Sequence, residues 1–283
     1  MTSELYTLFL ACFPGIVREK SKVETILSYP ENRILERRAE GKLIGAAVLN
    51  RNTILMLCVH PAYRGQGIGS GLLTEAETGI REAGYDTVQF CDGVEYITPG
   101  IPLYEGNQAF FEKRGYAHSW GDCECVDMRM ELRDFSATEN SIGDTIRGIR
   151  YRWAEPADIP EITACVEDAW QEFTVYYLDA ALYDPRNSQR VLLALDGETV
   201  CGTLIVSNGT EQAGIGSVGC TATRRAYQGR GIATTMVKLG TKYLRDAGLP
   251  TAFLGYTYTD IIPMYSRSGY TVCMKYMMAK KTM

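Results

Sequence analysis

The sequence predicts an α/β protein made of two copies of one domain, and two observations carry that prediction. Glycine-rich segments V-H-P-A-Y-R-G-Q-G-I-G from Val59 and T-R-R-A-Y-Q-G-R-G-I-A from Thr223 lie 164 residues apart with matching flanks. A second shared element, F-F-E-K-R-G-Y from Phe110 and M-Y-S-R-S-G-Y from Met264, follows each of them at an offset of 154. A chain of 283 residues also exceeds the usual span of one core, which agrees with two domains of about 140 residues.

In the first copy, apolar runs over 33–38 and 43–49 flank Glu40-Gly41, a hairpin signal, and a β-like run covers 53–59. After the glycine-rich segment a helix of about four turns reads to Ala83-Gly84, a helix stop, and a short strand follows over 87–91. The stretch from Tyr96 to Gln108, with two prolines and two glycines, accounts for the extra length of this copy. It reads as a loop bordering a pocket. Residues 134–147 are polar with no sustained period and are expected to link a domain spanning 1–133 to one spanning 148–283.

The second copy opens on a strand over 149–153 and a helix through Cys165, Val166 and Trp170. Runs over 190–195 and 200–206 flank Asp196-Gly197, and a β-like run over 217–223 precedes the second glycine-rich segment. A helix ending at Ala247-Gly248 and a strand over 252–256 complete the match. Trp170, Phe173, Tyr176 and Tyr177, at near-helical spacing, either form a lid over a pocket or pack inward.

Composition narrows the function classes. The net charge of -5, with its acidic excess in the N-terminal half, argues against a nucleic-acid partner. No run approaches the roughly 20 apolar residues of a membrane span, and Glu4 interrupts any basic leader, so no membrane partner is expected. Nine cysteines, an odd number at irregular spacing, suit reduced thiols in a cytoplasm better than a disulfide framework. Cys123-x-Cys125 lacks a second ligand pair and His60 and His118 are far apart, so no metal is expected.

A glycine-rich turn between a strand and a helix exposes backbone N–H groups at the helix N-terminus, where they and the helix dipole favour an anion such as a pyrophosphate. The pattern R-G-Q-G-I-G at Arg64, Gly65, Gln66, Gly67, Ile68 and Gly69 resembles the acetyl-CoA loop of the GNAT-type N-acetyltransferase superfamily. So does Q-G-R-G-I-A at Gln228, Gly229, Arg230, Gly231, Ile232 and Ala233. The resemblance covers nearly all of both halves, because the strand, helix and helix-Gly-aromatic elements occur in the family's order. It implies a tandem protein whose domains are each a mixed, mainly antiparallel sheet flanked by helices and splayed around the cosubstrate acetyl-CoA. By the same resemblance, backbone groups at Leu57 and Val59, and at Thr221, Ala222 and Thr223, pair with the pantetheine arm. The two loops hold the pyrophosphate, with Arg64 and Arg230 adding charge.

Many members of this superfamily protonate the leaving thiolate with a tyrosine on the helix before the Gly-aromatic pair. Tyr265 stands at that position, whereas the first copy carries Phe111. The resemblance therefore implies a catalytic C-terminal copy. Thr53 and Ser217 stand where many relatives carry a glutamate base; Asp260, Tyr258, Glu172, Asp168 and Glu211 are the candidate substitutes. The expected function is acetyl transfer from acetyl-CoA to a primary amine of a small molecule or peptide. The rival readings are a non-catalytic CoA-binding sensor or scaffold, and transfer to protein lysines or N-termini.

Overall fold

The computed structural model describes residues 2–18, 20–90, 96–104, 106–119, 124–136, 139–209 and 214–283. Helices α1 (Thr2–Cys12) and α2 (Lys20–Leu27) precede strands β1 (Arg33–Ala39), β2 (Lys42–Asn50) and β3 (Thr53–Val59). Helix α3 (Ile68–Glu82), β4 (Thr87–Phe90), β5 (Ile101–Pro102), α4 (Asn107–Glu112) and β6 (Ala117–His118) follow. Next come β7 (Cys125–Glu131), β8 (Thr145–Ile146), β9 (Ile149–Trp153), α5 (Ile159–Trp170) and α6 (Thr174–Tyr177). Strands β10 (Gln189–Asp196), β11 (Thr199–Ser207) and β12 (Ile215–Thr223) lead to α7 (Ile232–Asp246) and β13 (Thr251–Tyr258). Helix α8 (Ile262–Ser266), β14 (Thr271–Met277) and β15 (Ala279–Thr282) end the order.

Two units result. The first comprises Met1–Val126 with Cys273–Met283, the second Asp127–Val272. This division differs from the sequence-order boundaries at 133 and 148. The last strand, β15, pairs with β4 and β6 and so completes the first unit's sheet, ordered β1-β2-β3-β4-β15-β6. Strand β7 instead lies beside β13, in the order β7-β13-β12-β11-β10-β9-β8. Strand membership follows ladder hydrogen bonds rather than chain order.

Both sheets are mixed and mainly antiparallel, and β3·β4 and β12·β13 are parallel. The β1–β2 hairpin turns at Glu40 (φ 49) and Gly41 (φ 77), the two-residue geometry that matches strand twist. Within the residues read as a linker, Thr145 and Ile146 form a strand on β9, because Arg147 (φ 52) and Gly148 (φ 84) build a second such turn. The stretch read as a loop contains the short strand β5, paired through Ile101 and Pro102 with Met277 and Tyr276. Gly100 allows this approach, since a Cβ there would lie 2.6 Å from the Met277 carbonyl oxygen.

The first core packs α3 on the sheet through Leu72, Leu73 and Ile80; the second packs α5 on it through Ile162, Cys165 and Val166. Glycines on β2 and β11 bring the long helix of each unit close to the sheet. A Cβ at Gly45 would meet Ile68 and Leu72 at 3.2 Å, and one at Gly202 would meet Met236 at 2.8 Å and Ile232 at 3.1 Å. Gly202→Val is therefore expected to overpack this contact and cost about 1–3 kcal/mol, read as a lower urea midpoint.

Candidate active site

In the second unit, β12 and β13 pair only at Ile215↔Thr251, Gly216↔Ala252 and Ser217↔Phe253. Beyond Ser217 and Phe253 both strands continue, to Thr223 and Tyr258, without pairing to each other. A wedge opens there. Three residues past the last pair, each wall carries a left-handed residue, Cys220 at φ 49 and Tyr256 at φ 59. Such conformations cost about 1–3 kcal/mol each and persist only where the surroundings enforce them.

Both are enforced by buried side chains. The Tyr177 hydroxyl donates to the Cys220 carbonyl and accepts from Thr203 Oγ1 at 2.9 Å. Asp127 Oδ1 accepts the Tyr256 N–H at 3.0 Å, and Asp127 is only 1% exposed. The β11–β12 register shift between Thr203 and Ile205 is the bulge that results. A bulge takes backbone groups out of the ladder and re-aims them. Tyr177→Phe is expected to lower stability by about 1–3 kcal/mol, seen as a lower melting temperature, because Thr203 is fully buried and loses its acceptor.

Tyr265, on α8, is buried, and its hydroxyl lies 3.0 Å from Thr221 Oγ1. Burial pushes the phenol up to about 12, against a smaller opposing effect of the Thr221 hydrogen bond. The hydroxyl is thus protonated near neutral pH. The first unit replaces both members of this pair. The repeat offsets set Leu57 against Thr221 and Phe111 against Tyr265, and Phe111 packs edge-on against Phe90 at 4.9 Å.

The glycine-rich loops adopt matching geometry. Gly65, Gly67, Gly229 and Gly231 have φ between 76° and 81°, and Gly67 and Gly231 cap α3 and α7 with no side-chain bond to the first turn. The Arg64 side chain donates Nε–H to the Val59 carbonyl at 3.0 Å; Gln228 donates Nε2–H to the Thr223 carbonyl at 3.1 Å. The arginine–glutamine difference between the copies thus preserves one contact, back to the strand end. Arg230 donates to the Ala226 carbonyl at 3.0 Å and stacks on Tyr227 at 4.7 Å. Gln66 is exposed, while Ile68 packs on the first core and Ile232 is buried. Ala233 replaces Gly69 without strain, since a Cβ at Gly69 would come no nearer than 3.6 Å to Val59.

The first unit holds a cleft of about 510 Å³ along Leu57, Val59, the Arg64–Gly69 loop, Phe111 and Arg114. Arg114 donates to Ser70 Oγ at 2.8 Å and lies over the Phe110 ring at 3.7 Å; its counterpart in the second unit is Ser268.

The substitute bases separate. Asp168 accepts the Arg225 N–H at 2.7 Å and so holds the loop, Asp260 and Glu172 are exposed, and the Tyr258 ring packs against Tyr256 at 5.4 Å. Glu211 and Cys123 lie outside the described residues. Of the four aromatic residues near α6, Tyr177 packs inward and pins the wedge, Trp170 is 52% exposed, and Phe173 and Tyr176 are half-buried. Among the described residues no three His, Cys, Asp or Glu side chains group as a metal site, and no helix is long and apolar enough to cross a membrane.

Sequence reasoning missed Asp127 and Arg114. A carboxylate inside the otherwise apolar run C-V-D-M is the signal for the first, because strands disfavour aspartate unless it is partnered.

Residues 31–118 match the acetyltransferase (GNAT) domain, and residues 157–270 match the acetyltransferase (GNAT) family. The chain is a tandem member of the GNAT family. It is 28% identical over 211 residues to the mycothiol acetyltransferase of Rhodococcus jostii (strain RHA1), a match covering 70% of this chain and 64% of that protein. The chain thus aligns to less than two thirds of that relative's length. Its fold resembles a GCN5-related N-acetyltransferase from Sphaerobacter thermophilus (TM-score 0.71, 21% identity, 99% of this chain and 93% of that one). It also resembles a tandem GNAT protein from the clavulanic acid biosynthesis pathway (TM-score 0.70, 16% identity, 99% and 94%).

Proposed function

We propose that this GNAT chain is an acetyl-CoA-dependent N-acetyltransferase that moves an acetyl group directly to a primary amine of a small molecule or peptide, with the chemistry in the second unit. The observation that carries this reading is the buried Tyr265 hydroxyl, 3.0 Å from Thr221 Oγ1 on the wall of the wedge. Acetyl-CoA, when bound, supplies the activated carbonyl. The first-turn N–H groups of α7 hold its pyrophosphate, aided by the helix dipole. Backbone groups at Thr221, Ala222 and Thr223, on the edge of β12 that lies beyond its last pair with β13, would pair with the pantetheine arm. As the amine nitrogen bonds the carbonyl carbon and the C–S bond breaks, Tyr265, kept protonated by burial, would give its proton to the leaving thiolate, and the proton that the amine loses would restore the phenol by way of solvent. The relative named for mycothiol supports a small-molecule acceptor.

The first unit supports a different role. Its cleft and its Arg64 and Arg114 suit CoA, while Leu57 and Phe111 leave no hydroxyl where the second unit has Tyr265. We read it as a cofactor-binding copy without the acid. The test is incubation of the full chain with acetyl-CoA and a panel of primary amines, following free thiol and acetylated product by mass spectrometry. Product with at least one amine is expected. Intact acetyl-CoA binding with no product from any amine would favour the sensor or scaffold instead.

A further inference from the structure

The cleft of the first unit is lined by two thiols that acetyl transfer does not use. Cys12 is the last residue of α1 and Cys58 lies on β3; both face the cleft, at 2% and 5% exposure. Helix α1 packs on β3, which sets the two thiols in one wall of the cleft, where each shifts the titration of the other. One guanidinium brackets them, since Arg64 donates to the Cys12 carbonyl at 3.3 Å and to the carbonyl of Val59, next to Cys58, at 3.0 Å.

The pair is chemically unequal. The Cys58 S–H and the Arg64 charge hold the Cys12 thiol below the usual range, against the effect of burial, while Cys58 is pushed well up. Cys12 is therefore the nucleophile and Cys58 keeps its proton until late. Cys165 and Cys201, in the second unit, are pushed by burial up to about 12 and about 11 and stay protonated.

We propose that Cys12 and Cys58 form an oxidisable dithiol in the cleft wall, a modification site whose oxidant is a low-molecular-weight disulfide. The Cys12 thiolate attacks one sulfur of that disulfide, forming a mixed disulfide and releasing one thiolate, which takes a proton from solvent. Cys58 then loses its proton and attacks the Cys12 sulfur. The Cys12–Cys58 bond forms and a second thiol leaves, so the protein dithiol is oxidised by two electrons and the small disulfide is reduced to two thiols. A disulfide needs its sulfurs about 2.05 Å apart, closer than any non-bonded sulfur contact, so closure draws the end of α1 against β3 and reshapes the cleft. This inference does not depend on acetyl transfer.

The test uses the reduced full chain and oxidised glutathione, without CoA. Wild type is expected to lose two of its nine titratable thiols and two hydrogens of mass, to yield a Cys12–Cys58 cross-linked peptide, and to recover with dithiothreitol. Cys58→Ser should stop at one glutathionyl group on Cys12, and Cys12→Ser should give neither product at these positions. If both cysteines of the treated wild type remain open to alkylation, or the cross-link maps to another pair, the proposal fails. The wild-type result decides this even if a variant folds poorly.

Discussion

Tyr265→Phe is expected to lower kcat by about 10²–10⁴-fold while leaving the Kd for acetyl-CoA unchanged. The hydroxyl matters most when the thiolate leaves, so its contribution is realised in the transition state rather than in binding. The variant should fold, because the first unit already buries Phe111 at the same place in the repeat. Loss of the 3.0 Å bond to Thr221 costs about 0.5–1.5 kcal/mol of stability, too little to unfold the unit. The pH profile gives an independent check. The phenol is pushed up to about 12, above the ordinary value of 10, so the acid form persists through the physiological range and the rate should not fall with Tyr265 ionisation below about pH 11. The same shift has a stability sign. The folded state keeps this proton where the unfolded chain loses it, so the stabilisation is full below pH 10 and is lost as pH rises from about 10 to about 12. An unchanged kcat in Tyr265→Phe, measured by thiol release at saturating acetyl-CoA and acceptor, would remove it as the acid.

What the sequence disclosed about this site was local in origin. Positive φ at Gly67, Gly231, Gly84 and Gly248 is written in single glycines, and the two helices start and stop where those glycines stand. The Thr221–Tyr265 pair became visible as a difference between copies once the repeat offsets aligned them with Leu57 and Phe111. Long-range pairing left no such mark. Nothing within residues 125–131 says that they belong beside β13, nor does anything within 279–282 say that they return to β4. The same blindness hid the wedge supports. Asp127 bonds the backbone of Tyr256 across 129 residues, and Tyr177 bonds that of Cys220 across 43. Cys220 and Tyr256 are not residue types that announce a left-handed backbone, so their strain is readable only from the side chains that hold it.

Gly231→Asp should abolish tight acetyl-CoA binding in the second unit, by more than about 100-fold, while costing about 1–2 kcal/mol of stability for the left-handed backbone. Gly231 sits at φ 79, and a Cβ there would meet nothing within 4 Å. Aspartate tolerates this left-handed conformation better than most residues, and a carboxylate before the first turn of α7 favours the helix dipole. The side chain therefore occupies open space at the helix N-terminus without disturbing the core. That space is where the pyrophosphate is proposed to bind, so the new charge repels the ligand at close range. Gly231→Asn separates charge from bulk and should lose less affinity. Gly67→Asp applies the same logic to the first unit, where φ is 81 and the Cβ position is equally open. Calorimetric titration distinguishes the copies. Loss of turnover with Gly231→Asp, and loss of only a binding site with Gly67→Asp, would support chemistry in the second unit. Loss of turnover with Gly67→Asp alone would move the chemistry to the first, and unaltered binding in both variants would reject the loops as the pyrophosphate sites.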